Sequence, residues 1–232
     1  MNLVFWVIGA IIALACLGFL TMVYIWYPPF PKMKKGKHHI VCVGDSITFG
    51  AGVVLHRKTD SYPAILQTYC KDSIQVMNAG LSGRTAISTG DAPYIRDKYY
   101  QKTFRVDECS YIVMLGTNDS KPYNWDACEF EKDYKLFLSK YIAVAGNKNV
   151  VVMKPPRSFP KEEQDEVPFD IQNTQILEEG TIIDKIADEL GIRVIDLYQL
   201  TQEHREWFSD GVHPNKLGNK EIAKHIYKEL FD

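Results

Sequence analysis

Apolar residues fall along the 232-residue chain in two different rhythms. From Leu3 to Tyr27 they form one run of 25 uncharged residues, interrupted only by Gly9, Gly18 and Thr21. Tyr27-Pro28-Pro29-Phe30-Pro31 ends that run, because consecutive prolines cannot continue a helix. Beyond it, short apolar runs alternate with longer amphipathic stretches. His39–Val43, Ile74–Met77, Tyr111–Leu115, Asn149–Met153 and Arg193–Leu197 read as strands. Helical spacing is found near Tyr62 to Cys70, near Tyr94 to Phe104, and from Trp125 through Ala145 with Asn124 as its cap. It returns from Thr181 to Leu190, where Gly191 ends it, and from Lys216 to Phe231. Strands this short and apolar, alternating with helices, predict a mainly parallel five-stranded sheet covered on both faces, a three-layer α/β/α domain.

The first rhythm predicts something different. At about 1.5 Å per residue the run exceeds the roughly 30 Å hydrocarbon core of a bilayer, so it is expected to be one transmembrane helix over residues 1–27. Ala13-Leu14-Ala15 and Cys16 imitate cleavage and lipidation sites. No basic residue precedes them, however, and the run continues for eleven residues past Cys16, which favours an uncleaved span. A Pro/Lys linker over 28–37 follows, then the domain over 38–232. Lys32, Lys34, Lys35 and Lys37 lie in the linker, and the positive-inside bias sets a single-pass membrane protein with its domain on the cytoplasmic side. The same lysines would also meet anionic headgroups on either side.

Charge and cysteine content narrow the function classes. Without the four linker lysines, the domain carries 23 basic against 29 acidic residues and no second basic block, which argues against nucleic-acid binding. Cys16, Cys42, Cys70, Cys109 and Cys128 form no C-x-x-C pair, so neither a zinc ribbon nor a dense disulfide framework fits. Cys42, in an apolar run, reads as a small core residue. Pro155 to Pro168 is irregular and contains the acidic run Glu162-Glu163-Gln164-Asp165-Glu166; loops this long often flank sites, though a plain solvated connection explains it as well.

Open parallel sheets bind ligands at the carboxyl ends of their strands, so the residues after each apolar run matter most. The first run ends in Gly44-Asp45-Ser46-Ile47-Thr48 and the second in Asn78-Ala79-Gly80-Leu81-Ser82-Gly83-Arg84-Thr85. The third ends in Gly116-Thr117-Asn118-Asp119, and the last connection supplies Asp210-Gly211-Val212-His213-Pro214-Asn215. Each block alone has a structural explanation as a turn or cap. Together and in this order they resemble the SGNH hydrolase superfamily, the GDSL-type esterases and lipases, over about residues 39 to 228. Ile47 stands where that family's name has leucine. There is no G-x-S-x-G, H-E-x-x-H or G-x-x-x-x-G-K-[ST], which sets aside the hydrolase elbow, zinc proteases and phosphate loops.

A serine hydroxyl is a weak nucleophile until a base takes its proton, and an imidazole suits that task. By this resemblance Ser46 is the nucleophile, His213 its base and Asp210 the carboxylate that orients the ring. The oxyanion would be held by the backbone N–H of Ser46, the backbone N–H of Gly83 and the side-chain amide of Asn118. The fold implied is flavodoxin-like, and no metal or organic cofactor is required. His38, His39, His56, His204 and His225 fall in linker or polar stretches and are assigned no role; Tyr123, Trp125 and Arg157 remain possible pocket walls outside the catalytic set.

The family's catalytic blocks do not separate its substrates. G-T-N-D-S-K-P-x-N-W resembles the carbohydrate-esterase-like bacterial members and favours short, acetyl-like esters of a carbohydrate. A membrane anchor favours lysophospholipase or thioesterase action on lipid acyl chains. Acyl transfer to an alcohol uses the same residues, and a non-catalytic tethered binding module is the reading from a different class. The expected partners are thus a small-molecule, glycan or lipid ester and the membrane, with no nucleic acid and no obligatory protein partner.

Overall fold

A computed structural model describes residues 2–161 and 165–231, apart from several side chains of the first helix; residues 162–164 of the acidic run lie outside the described residues. The chain divides into two units, Met1–Phe30 and Pro31–Asp232. In the first, the apolar run is helical as α1, Asn2–Trp26. Among the described residues, however, no helix is long and apolar enough to cross a membrane. A span needs about 20 consecutive apolar residues. The expected transmembrane helix is corrected accordingly, and with it the single-pass placement, the membrane as partner and the cytoplasmic side inferred from the linker lysines.

The second unit contains five strands, β1 His38–Gly44, β2 Ile74–Gly80, β3 Cys109–Met114, β4 Val150–Lys154 and β5 Arg193–Asp196. They form one sheet in the order β2-β1-β3-β4-β5 with every pairing parallel. The chain leaves β1 toward one edge and later returns to β3 on its other side, which creates the switch point where such sheets hold ligands. Gly44, Gly80 and Met114 are in register there.

The helices are α2 Ser46–Phe49, α3 Arg57–Asp60, α4 Tyr62–Tyr69, α5 Lys98–Thr103, α6 Ala127–Ala145, α7 Asn173–Leu190, α8 Leu197–Thr201 and α9 Lys216–Phe231. Strand side chains alternate between faces, and the two faces differ. Ile40, Cys42, Ile112, Met114, Val151 and Met153 pack on Tyr62 and Leu66 of α4 and on Ile222, Ala223 and Ile226 of α9. On the other side α6 covers β3 and β4, and α7 covers β4 and β5. That layer is aromatic: Tyr111 lies 4.4 Å from Tyr141, ring to ring, and Phe137 stacks on Tyr100 at 5.5 Å. Rings meeting edge-on or offset are favoured by their quadrupoles.

Three helix starts differ from expectation. α5 begins at Lys98 and not near Tyr94, which lies in a separate 3-10 turn over Tyr94–Arg96. α6 is capped by Asp126, whose carboxylate accepts the Glu129 N–H, and not by Asn124. Asn124 is buried and ties the loop instead, donating to Asp91 and to the Asn118 carbonyl. α7 begins eight residues before Thr181, because its buried face runs Ile176, Glu179, Gly180, Ile183. A carboxyl and a glycine in that stripe hide the helical period from an apolar count.

Candidate active site

β1 delivers the nucleophile candidate. Its last residue, Gly44, pairs with Gly80 of β2, and α2 starts two residues later. Asp45 caps this helix, its carboxylate accepting the Ile47 N–H at 2.9 Å. A Cβ at Gly80 would collide with the backbone of Thr48 and Phe49, and one at Gly44 with Thr48 and the Met114 carbonyl. Glycine at both positions lets α2 rest directly on the strands. Asn78 of β2 then donates to the carbonyl of Thr48 at 2.9 Å, so the helix is held from below.

A second set of contacts ties α2 to the loop carrying the histidine. Thr48 Oγ1 meets the Tyr62 hydroxyl at 3.0 Å; the Tyr62 N–H donates to Asn219 Oδ1, and Asn219 Nδ2 donates to the Pro214 carbonyl at 2.7 Å. His213 is thereby brought to Ser46 across 167 residues of sequence, with Nε2 at 2.9 Å from Ser46 Oγ. Its Nδ1 lies 2.7 Å from Asp210 Oδ2. The Asp210 carboxylate has no proton to give, so Nδ1 carries the hydrogen and Nε2 is free to accept from the serine hydroxyl.

Asp210 also accepts the backbone N–H of Val212 and of His213 on Oδ1, at 3.0 and 2.8 Å. Burial raises its carboxyl, but the His213 ring, the His213 backbone N–H and the Val212 N–H outweigh that and hold it at about 2. It is therefore charged at any pH well above 2.

Asn118 is joined to the residue after Gly83 rather than to Ser46. Asn118, 6% exposed, donates from Nδ2 to the Arg84 carbonyl at 3.2 Å. Gly83 has φ +78°, a backbone that L side chains rarely adopt, and open space where a Cβ would stand. Among the described residues, neither makes a hydrogen bond to Ser46 or His213. Both leave the same sheet edge as Ser46, after β2 and β3. Arg84 itself is anchored by Asp97 at 2.7 Å.

The motifs contained positioning residues whose action only the fold reveals. Asp119 accepts the Ala86 N–H and the Ile87 N–H at 2.8–3.0 Å, and so orders the loop that carries Gly83. It is fully buried; burial, with Asp45 nearby, pushes its carboxyl up to about 7 despite those donors. Burial likewise moves Asp45 up to about 6. Behind them Glu179 of α7 is fully buried, its oxygens without hydrogen-bond partners among the described residues, and one lies where a Cβ on Gly116 would stand. Burial and the charges of Asp119, Asp45 and Glu178 raise its carboxyl well above the usual range. Arg157 is a structural tie, its guanidinium donating to the Gln202 carbonyl. Tyr123 is 62% exposed with Lys121 over its ring, and Trp125 packs on Phe130. Among the described residues no cluster of histidine, cysteine or carboxylate side chains has metal-binding geometry.

An alcohol oxygen, an imidazole that can accept its proton and a fixed anion behind the ring are what acyl transfer through a serine requires. Comparison with known proteins agrees with that chemistry. An acetylxylan esterase of Xylanibacter ruminicola is 28% identical over 221 residues, covering 87% of this chain; the chain spans 45% of that relative's length. The structure of a lipase/acylhydrolase from Enterococcus faecalis superposes with a TM-score of 0.65 at 22% identity, over 83% of this chain and 95% of the other. A carbohydrate acetylesterase from Sinorhizobium meliloti gives 0.61 at 19% identity, over 84% and 98%. At such identities these two structures establish the shared fold. The model of the GDSL-like lipase/acylhydrolase family matches residues 42–221, a stretch that contains all four blocks. The chain belongs to that family.

Proposed function

We propose that the protein is a serine esterase that removes short, acetyl-like O-acyl groups from a carbohydrate through an acyl-Ser46 intermediate. The observation that supports this most directly is the hydrogen-bonded line from Ser46 Oγ through both nitrogens of His213 to Asp210. Ser46 Oγ attacks the ester carbonyl carbon as Nε2 takes the hydroxyl proton. The carbonyl oxygen becomes an oxyanion facing the Ser46 N–H, the Gly83 N–H and the Asn118 amide. Collapse expels the alkoxide, which takes the proton from Nε2. Water then attacks the acyl-serine with Nε2 again as base, releasing the carboxylic acid and free Ser46. Asp210 stays ionised and balances the imidazolium in both halves.

The carbohydrate substrate is supported by the described activities of the Xylanibacter and Sinorhizobium proteins. The lipid alternative leaned on a membrane span that the described residues do not supply. Ser46→Ala tests the mechanism: hydrolysis of p-nitrophenyl acetate should fall by about 10⁴ or more with the fold unchanged, and near-wild-type turnover would overturn it. A series of esters from acetyl to palmitoyl tests the acyl group. Highest kcat/KM at acetyl is expected, and a maximum at long chains would reinstate the lipid reading.

A further inference from the structure

Beside the His213 ring lies an exposed aromatic side chain that the motifs do not include. Phe169 is 53% exposed, and its ring centre is 5.4 Å from that of His213 in an edge-on arrangement. It has φ +63° and ψ +24°, and the next residue, Asp170, has φ +60°. Left-handed backbone at a bulky non-glycine residue is rare and energetically costly. Two in succession persist only when the surroundings impose them.

The surroundings do impose them. Val167 and Ile171, on either side of the pair, pack with Ile176 against Val212 of the Asp210–His213 turn. Pro168 abuts Gly211, and the Gly211 carbonyl accepts the Phe159 N–H at 2.7 Å. On the far side the Gln172 N–H donates to Ser120 Oγ, two residues past Asn118. The segment is thus fixed to the histidine turn and to the asparagine loop, while Phe169 is turned outward between buried anchors. A residue with no packing role would relax to an ordinary backbone; this one is held in a strained conformation with its ring partly in solvent, next to the imidazole.

Proton traffic says which half of an ester lies there. Nε2 gives its proton to the departing alkoxide, so the alcohol carbon is one bond from an atom within reach of the imidazole. The carbonyl oxygen points away, toward Gly83 and Asn118. We infer that Phe169 is the platform of a leaving-group subsite that stacks the face of an uncharged, ring-shaped alcohol, of the pyranose type, against its phenyl ring. The C–H bonds on a sugar face carry partial positive charge and meet the negative face of the phenyl quadrupole. Asp170, exposed beside it, repels an anionic glycerophosphate leaving group and tolerates a neutral polyol. This inference rests on the serine-esterase reading and adds the residue that selects the alcohol.

The test compares wild type, Phe169→Ala and Phe169→Tyr in the full chain. The substrates are a mono-O-acetylated methyl xyloside, cyclohexyl acetate, ethyl acetate and ethyl butyrate. Phe169→Ala should lower the kcat/KM ratio of each ring acetate to ethyl acetate about tenfold, chiefly through KM, and Phe169→Tyr should restore it. The acetyl-to-butyryl ratio should stay constant, because the acyl side is elsewhere. Unchanged ring-to-ethyl ratios, or a shift in acyl preference instead, overturn the subsite while leaving the serine mechanism standing. Turnover that survives Ser46→Ala removes the mechanism beneath it, and the subsite as well.

Discussion

Asp210 and Asp119 are both aspartates at the carboxyl edge of one sheet, and each accepts backbone N–H groups from an adjoining turn. Their carboxyls nevertheless move in opposite directions, to about 2 and to about 7. Backbone donors are common to both, so the difference lies in the depth of burial and in the His213 ring, which donates to Asp210 alone. Asp210 is at the rim, 31% exposed, with the His213 ring 2.7 Å from its carboxylate. Asp119 is fully buried, and the charged groups nearest it in character are Asp45 and Glu179, both acids. One end of the sheet thus has a rim that stabilises charge and a floor that disfavours it. The rim holds the groups proposed to act in the reaction, and the floor fixes the loops that carry Ser46, Gly83 and Asn118.

The comparison can be broken most severely at the rim. Asp210→Asn keeps an oxygen for the Val212 and His213 N–H groups, so the turn should survive. The amide would donate to Nδ1, shifting the ring hydrogen to Nε2 and leaving no acceptor for the serine hydroxyl. A fall in kcat of about 10⁴, with thermal midpoint within a few degrees of wild type, is expected from steady-state kinetics and circular dichroism. Asn118→Ala, at the boundary between the layers, should cost about 10²–10³ in kcat with KM little altered. An effect below threefold would remove Asn118 from the oxyanion site.

The floor gives the smallest effect and a distinctive sign. Burial raises the Glu179 carboxyl, so the folded protein keeps a proton that the unfolded chain releases from about pH 4.3 upward. The folded state then binds more protons, and stability falls as pH rises above that point. Glu179→Gln cannot ionise and should escape this loss. Its thermal midpoint relative to wild type should climb between pH 4 and pH 8, by about 2–4 °C for each kcal/mol recovered. A difference that is flat across this range, measured by calorimetry, would mean that Glu179 is not held neutral.

Much of this architecture was legible in sequence because its strands are buried on both faces. β1, β3 and β4 announce themselves as uninterrupted apolar runs, and the residues that follow them fall at the sheet edge by topology alone. The pairing of Ser46 with His213 was suggested by motif; the Thr48–Tyr62–Asn219–Pro214 line that brings them together joins residues with no common period. α2 is four residues long, too short for any periodic signal. The first half of α7 was hidden by Glu179, since a buried carboxyl looks like surface in a hydropathy pattern. Phe169 had no signal, because left-handed backbone is anticipated at glycine or asparagine. The N-terminal run was legible as a helix, but its apolar character suggested a membrane span that the described residues do not provide.

Gly44 and Gly80 face each other across two strands, with α2 seated on both. Neither has a side chain that could take part in chemistry. Yet any other amino acid at either position would lift the helix that carries Ser46. The tolerance of this protein to mutation is therefore set in part by two positions without chemistry. An exposed side chain such as Phe169 can change without disturbing that helix, whereas a side chain at either glycine cannot be accommodated.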